Sequence, residues 1–332
     1  MTRNKRFKVL IPDIMRPPAD IEENILGDIA EVNSFSAFNS REINDELWAD
    51  CDAVLAFNNM VYDPELLDKL KNVKTIVRSG IGYDNIDTAE CSKRNIIVCN
   101  VPDYCTEEVA DHTMAFLLAL VRGFSAHSRN VRERKWERNS TIAFRLKGKV
   151  LGIIGLGRIG SAVAIRARAF GMKIVFYDPY VKEGYDKVFH AERVESLEEL
   201  AGVSDIISLH APLTQETEGM INDEFFENVK KGVVFINTAR GKMVDIKALE
   251  NALKNDKVLI AGLDVLPVEP SDDSQSLVLS YEKEEEWIRD RLIITPHTAF
   301  YSHEALTELR AKAAGEVKRI LLGGKPRNCV NV

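Results

Sequence analysis

From Val150 to Asp178 the chain runs through an apolar stretch, three spaced glycines, an alanine-rich stretch closed by Gly171, a second apolar stretch and an acid. No other segment constrains the fold as tightly. The run Val150-Leu-Gly-Ile-Ile-Gly-Leu-Gly-Arg-Ile-Gly160 predicts a strand entering a Gly155-x-Gly157-x-x-Gly160 turn, then a helix from about Arg158 to Phe170 and a strand ending at Asp178. Gly155 permits the tight turn, Gly157 lets a pyrophosphate approach the backbone, and Gly160 allows close helix–strand packing. The helix N-terminus offers N–H groups to the phosphates. Asp178 would accept hydrogen bonds from ribose hydroxyls, whereas a 2′-phosphate would meet its charge with no arginine in the following Pro179-Tyr180. A tight turn with no ligand uses the same glycines. With strand, helix and acid all in place, a dinucleotide is the better reading, and NAD rather than NADP.

The same alternation fills the rest of the chain. Further short apolar runs predict strands at Phe7–Ile11, Ala53–Phe57, Thr75–Val77, Ile96–Cys99, Ile206–Leu209, Val233–Asn237, Leu259–Asp264 and Leu292–Thr295. Continuous apolar runs separated by helical segments imply parallel strands covered on both faces, a doubly wound α/β fold. A helix is expected from about Glu107 to Arg122, with Thr106 as N-cap. Its second half is apolar all round, which implies burial on several sides against another domain or subunit. A second long helix is expected from His303 to Leu322, capped by Ser302, with Leu306, Leu309, Ala313, Val317, Ile320 and Leu321 on one stripe and Gly323-Gly324 at its end. The acidic segment Ser271–Arg291 reads as a solvated loop or short helix. A domain boundary is expected near Val101-Pro102.

Bulk properties remove several classes. A net charge of −7 disfavours a polynucleotide partner. The longest apolar run, Met114–Val121, is far shorter than a membrane span. The basic start, Met1–Arg6, leads into an apolar run that stops at Pro12-Asp13, too short for a signal peptide, so the expected location is the cytoplasm. Five cysteines (Cys51, Cys91, Cys99, Cys105, Cys329) with no C-x-x-C pair read as reduced thiols, and no metal site is expected.

Downstream of the glycine turn lie Asn237-Thr-Ala-Arg-Gly241, Gly262-Leu-Asp-Val-Leu-Pro-Val-Glu-Pro270 and Thr295-Pro-His-Thr-Ala299. Each sits at or just after the carboxyl end of an expected strand, the edge where open α/β sheets bind ligands. Arg240, Glu269 and His297 can therefore converge. A 2-keto acid offers a carboxylate and a carbonyl oxygen that match a guanidinium fork. Reduction leaves negative charge on that oxygen, which an imidazolium neutralises by giving up a proton. A carboxylate behind the ring orients it and favours its charged form. Singly, each residue has a plain structural reading; together they suggest acid–base chemistry.

These motifs resemble the D-isomer-specific 2-hydroxyacid dehydrogenase family. The resemblance covers nearly the whole chain and extends to Val77-Arg-Ser-Gly-Ile-Gly-Tyr-Asp-Asn-Ile-Asp87, Asn100-Val-Pro, Glu108-Val-Ala-Asp-His-Thr113 and His210-Ala-Pro-Leu-Thr214. It implies a Rossmann nucleotide-binding domain (102–299) inserted in a flavodoxin-like substrate domain (1–101 and 300–332). It implies an NAD-dependent enzyme interconverting a small 2-keto acid and its D-2-hydroxy acid, dimeric through the nucleotide-binding domain. Arg240 would bind substrate, His297 would be the acid/base and Glu269 its partner. The backbone N–H groups of Ile81 and Gly82 would hold the carboxylate, with Arg78 as a second cation and Phe300 at the substrate. Asp264 would contact the nicotinamide carboxamide, and Thr113, Arg158 and Ile159 would approach the phosphates. His210, Ala211, Pro212, Thr217, Thr238 and Ala239 complete the cofactor set.

Within the family, Val-Arg-x-Gly-x-Gly-x-Asp-Asn-Ile-Asp and Pro-His-Thr-Ala-Phe-Tyr-Ser look most like the C-terminal-binding-protein branch of NAD(H)-sensing corepressors. Phe300 stands where the corepressors carry Trp, and the interval from Glu269 to His297 is longer than usual. A corepressor-like binding protein would be expected to carry a long disordered tail, and the chain ends soon after its last helix. A phosphoglycerate dehydrogenase would want further cations beside Arg78 and Arg240, and a regulatory domain after the last helix. The enzyme acting on a small 2-keto acid is the favoured reading.

Overall fold

The computed structural model describes residues 6–139 and 142–331. The chain divides into two compact units, Met1–Tyr104 with Ser302–Val332, and Cys105–Tyr301. The sequence reading set the changeovers at 101/102 and 299/300.

The first unit is a five-stranded sheet of β1 (Phe7–Ile11), β2 (Ala30–Ser34), β3 (Ala53–Ala56), β4 (Thr75–Arg78) and β5 (Ile97–Asn100), all parallel, in the order β2-β1-β3-β4-β5. That order is the flavodoxin-like one. Val54, Ala56, Ile76 and Val98 pack one face with Trp48, Tyr62 and Leu67. The C-terminal helix His303–Leu321 returns to this unit and packs against β3, β4 and the helix Asp20–Leu26. Arg310 joins the two helices, donating through Nε to Glu22 Oε1 at 2.9 Å and through a terminal nitrogen to Glu22 Oε2 at 2.6 Å. It also reaches Asp20 and the carbonyl of Pro18. Ser302 caps the helix by accepting from the Ala305 N–H, and Gly323, at φ 80°, ends it.

The second unit holds β6 (Val150–Ile154), β7 (Lys173–Tyr177), β8 (Glu192–Arg193), β9 (Ile206–Leu209), β10 (Val233–Asn237), β11 (Val258–Leu263) and β12 (Leu292–Ile294), again all parallel, in the order β12-β11-β10-β9-β6-β7-β8. Strand order reverses between β6 and β9, the switch point of a Rossmann sheet. Both faces are buried, as the apolar runs require: Val234 and Ile236 of β10 pack on one side, Val233 and Phe235 on the other.

Four local expectations change. Cys105, not Thr106, takes the N-cap of the helix Thr106–Val121, and makes no side-chain capping bond. That helix packs on helix Arg158–Ala169 and on β10 and β11 of its own unit, which accounts for its buried apolar residues. Segment 271–291 contains a short helix, Ser276–Glu282, one of its two expected forms, but it is not simply solvated, for Leu277, Val278 and Ile288 are buried. Finally, β2 and β8 are additional edge strands.

Candidate active site

Register places the carboxyl ends of six strands along one edge of the second sheet. Ile154 is level with Tyr177 and Leu209, Leu209 with Asn237, Asn237 with Leu263, and Leu263 with Ile294. The next residues, Gly155, Asp178, His210, Thr238, Asp264 and Thr295, therefore share that edge.

At the switch point the three glycines differ in what surrounds them. Gly155 lies at φ 90°, and a Cβ there would stand 2.7 Å from the Ala211 nitrogen. A Cβ on Gly160 would stand 2.1 Å from the Gly155 carbonyl oxygen, so the helix Arg158–Ala169 can start this close only without one. A Cβ on Gly157 would meet nothing within 4 Å. Gly155 and Gly160 are thus required by packing, whereas Gly157 faces open space beside the helix N-terminus, the cradle a pyrophosphate needs. Ile159 is half-buried on the first turn of that helix and Arg158 exposed. Asp178 accepts from the Leu156 N–H at 2.9 Å, which fastens the end of β7 to the glycine turn, and from the Tyr180 N–H at 2.9 Å. These residues fit a dinucleotide.

The loop after β9 is tied internally. Thr217 donates to the Pro212 carbonyl at 2.7 Å and accepts from the Thr214 N–H at 2.8 Å. His210 meets Ser208 Oγ through Nε2 at 2.8 Å, and burial drives its imidazole down to about 3. Thr238 and Thr113 touch through their hydroxyls at 3.0 Å, both buried.

Of Arg240, Glu269 and His297, the three residues expected to act together, the last two are in direct contact. His297 Nδ1 lies 2.7 Å from Glu269 Oε2, while Glu269 Oε1 accepts from the Leu266 N–H at 2.8 Å. Burial pushes the Glu269 carboxyl up. The His297 hydrogen bond and charge, the Leu266 N–H and the Arg240 guanidinium together outweigh it and hold the group below its ordinary value. Arg240 is therefore close enough to act on Glu269. One of its terminal nitrogens donates to the Ala239 carbonyl at 2.8 Å.

His297 takes a left-handed backbone, φ 49°, and its N–H donates to the Asp264 carbonyl at 2.7 Å. The Asp264 side chain, almost fully buried, accepts from the Thr298 and Ala299 N–H groups at 2.9 Å each and from Thr295 Oγ1 at 2.5 Å. Asp264 thus holds the loop carrying His297 at both ends. Phe300 stands edge-on to the His297 ring, centroids 6.3 Å apart.

Arg78, Ile81 and Gly82 belong to the first unit. Arg78 ends β4, buried, and donates to the Ser79 carbonyl at 2.7 Å and to Asn58 Oδ1. The Ile81 carbonyl accepts from Asn100 Nδ2 at 2.7 Å.

Sequence reasoning missed the residues that position these groups. Asn237 pins the Arg240 turn, accepting from the Ala239 N–H and donating to the Arg240 carbonyl, each at 2.9 Å. His112 Nε2 lies 3.1 Å from Thr295 Oγ1; because the threonine proton goes to Asp264, the imidazole is the donor. Burial pushes His112 down, against the pull of Asp264. Asn237, His112 and Thr295 stand inside the motifs already singled out, so the motifs were the signal. Nothing in the sequence marked Asn58.

A Rossmann sheet with a phosphate cradle at its switch point and an imidazole–carboxylate pair on the same edge defines the class: a dinucleotide-dependent oxidoreductase. Residues 114–299 match the model of the D-isomer specific 2-hydroxyacid dehydrogenase NAD binding domain. The glyoxylate reductase of Korarchaeum cryptofilum is 37% identical over 296 residues, 88% of this chain and 86% of that protein. The D-lactate dehydrogenase of Aquifex aeolicus, solved with NAD and lactic acid, superposes with a TM-score of 0.86 at 34% identity, over 98% of this chain and 99% of that one. A D-3-phosphoglycerate dehydrogenase of Methanocaldococcus jannaschii is 34% identical over 325 residues; they are 98% of this chain but 59% of the length of that relative. The chain belongs to the D-isomer specific 2-hydroxyacid dehydrogenase family, and its cofactor is NAD. Among the described residues no helix is long and apolar enough to cross a membrane.

Proposed function

We propose that the protein reduces a small 2-keto acid to the D-2-hydroxy acid, reversibly, with His297 as acid/base, Glu269 as its orienting partner and Arg240 as the substrate-binding cation. The observation that carries the reading is the 2.7 Å His297–Glu269 pair on the sheet edge that also bears the glycine turn. The bound nicotinamide would supply the hydride as NADH in reduction and accept it as NAD+ in the reverse direction. Because Glu269 holds Nδ1, the ring's other nitrogen, Nε2, is the atom that passes a proton to the carbonyl oxygen as charge develops on it. Arg240, whose charge also acts on Glu269, binds the substrate's carboxylate and carbonyl oxygen. The assignments of Arg78, Ile81 and Gly82 to the substrate carboxylate, of Phe300 to the substrate and of Asp264 to the carboxamide rest on the family resemblance.

The relatives include enzymes named for small unphosphorylated acids, glyoxylate reductase and D-lactate dehydrogenase, and one named for a phosphorylated acid, D-3-phosphoglycerate dehydrogenase. A phosphorylated substrate would call for cations beyond Arg78 and Arg240. The test is NADH oxidation with glyoxylate, pyruvate, branched and aromatic 2-keto acids and phosphohydroxypyruvate, followed by chiral analysis of the product. A D-hydroxy acid from an unphosphorylated substrate is expected. An L product, or turnover confined to phosphohydroxypyruvate, contradicts the proposal. Equal or better use of NADPH contradicts the part assigned to Asp178.

A further inference from the structure

The segment after the last helix does not end loosely. Its residues run along the outer edge of β5, which the first sheet leaves open. The Asn100 N–H donates to the Asn328 carbonyl at 3.2 Å and the Val330 N–H to the Val98 carbonyl at 2.9 Å. Asn331 closes the pairing, accepting from the Val98 N–H at 2.9 Å and donating to the Ile96 carbonyl at 2.8 Å. This tail is a short antiparallel strand, and its pairing sets Cys329 directly opposite Cys99.

The two bonds flank the cysteine pair instead of linking it, so Cys99 and Cys329 occupy a non-hydrogen-bonded position. Opposed residues at such positions have Cα atoms about 4.5 Å apart with side chains on the same face. A disulfide spans Cα separations of about 4.4–6.8 Å. The Cys99 thiol donates to Glu316 Oε1 at 3.9 Å and the Cys329 thiol to Asn331 Oδ1 at 3.4 Å. Cys99 is fully buried and Cys329 partly exposed, and both are free thiols.

We propose that Cys99 and Cys329 form a reversible dithiol–disulfide couple, a modification site whose oxidant is a low-molecular-weight disulfide. The accessible Cys329 thiolate attacks one sulfur of the oxidant; that S–S bond breaks and one thiolate leaves. Cys99 then gives up its proton and attacks the Cys329 sulfur, and the second thiolate leaves. Two cysteine thiols are oxidised by two electrons, and the oxidant departs as two thiols carrying both protons. Burial, with the Cys329 and Glu316 groups beside it, pushes the Cys99 thiol up to about 12, so closure is the slow step. The same property makes Cys99 a poor leaving group, and the closed bond resists reduction. Closure fastens the tail covalently to β5, just ahead of the Tyr104/Cys105 changeover between units.

The experiment is incubation of the 332-residue chain with oxidised glutathione, followed by alkylation of remaining thiols, digestion and mass spectrometry. Cleavage after Arg327 frees residues 328–332, which should appear linked to the peptide containing Cys99, with fragmentation placing the bond there rather than at Cys105. The oxidised wild type should melt several degrees higher than the reduced form, a gain that dithiothreitol reverses. Neither Cys329→Ser nor Cys99→Ser should show it. A glutathione adduct that stays on Cys329 without closing, or a bond from Cys329 to another cysteine, overturns the proposal. So does closure at the expected pair that leaves the melting temperature unchanged.

Discussion

At the scale of single residues, the glycine turn separates packing from binding. Gly160→Ala would drive a methyl into the Gly155 carbonyl and should lower stability by about 1–3 kcal/mol. Gly157→Ala meets nothing in the protein, so its melting temperature should stay at the wild-type value while NADH affinity falls at least tenfold. Differential scanning fluorimetry and NADH fluorescence titration read the two effects, and equal NADH affinity for Gly157→Ala and wild type would remove the cradle from the scheme. His210 carries a pH signature. Its folded value of about 3 lies well below the ordinary value of about 6.5. As pH falls through that window the unfolded chain takes up a proton that the folded chain refuses. The contribution to stability is therefore full above about pH 6.5 and is lost on acidification. Unfolding of His210→Gln measured between pH 6.5 and 4 should be less acid-sensitive, by up to about 1.4 kcal/mol per pH unit.

At the scale of elements, the buried Arg310–Glu22 pair couples the C-terminal helix to the helix Asp20–Leu26 across nearly the whole chain. Arg310→Met leaves the Glu22 carboxylate buried without its cation and should destabilise the first unit by about 3–5 kcal/mol, read by denaturant titration. Restoring balance with Glu22→Gln in the same chain should recover part of that loss. Elements buried on both faces were the most legible in the sequence, because β6, β9 and β10 are predominantly apolar runs, with Ser208 inside β9 and Asn237 at the end of β10 the polar exceptions. The edge strands β2, Ala30-Glu-Val-Asn-Ser34, and β8, Glu192-Arg193, were not, since half of their side chains face water. Composition misled over 271–291, where charged neighbours concealed Leu277, Val278 and Ile288. The motifs proposed as catalytic could be read because they fall at strand ends. The Asn58–Arg78 tie could not, because it joins the loop after β3 to the end of β4, strands that are neighbours only in the fold.

At the scale of the whole molecule, the flavodoxin-like and Rossmann sheets give this chain the architecture of its family. We propose that it also assembles as a homodimer through the unit 105–301. Phe124, Val131 and Trp136 lie just beyond the apolar helix Thr106–Val121 and are 70%, 55% and 78% exposed, a costly display for a lone protomer. Sedimentation should give twice the chain mass, and Phe124→Glu combined with Trp136→Glu should halve it. A wild-type monomer at micromolar concentration would contradict that assembly. The proposed chemistry turns on one proton. The most direct test compares His297→Ala with wild type for keto-acid reduction and for NADH binding. Turnover should fall by about 10²–10⁴-fold or more with NADH affinity unchanged. Wild-type turnover in the variant would show that another group supplies the proton.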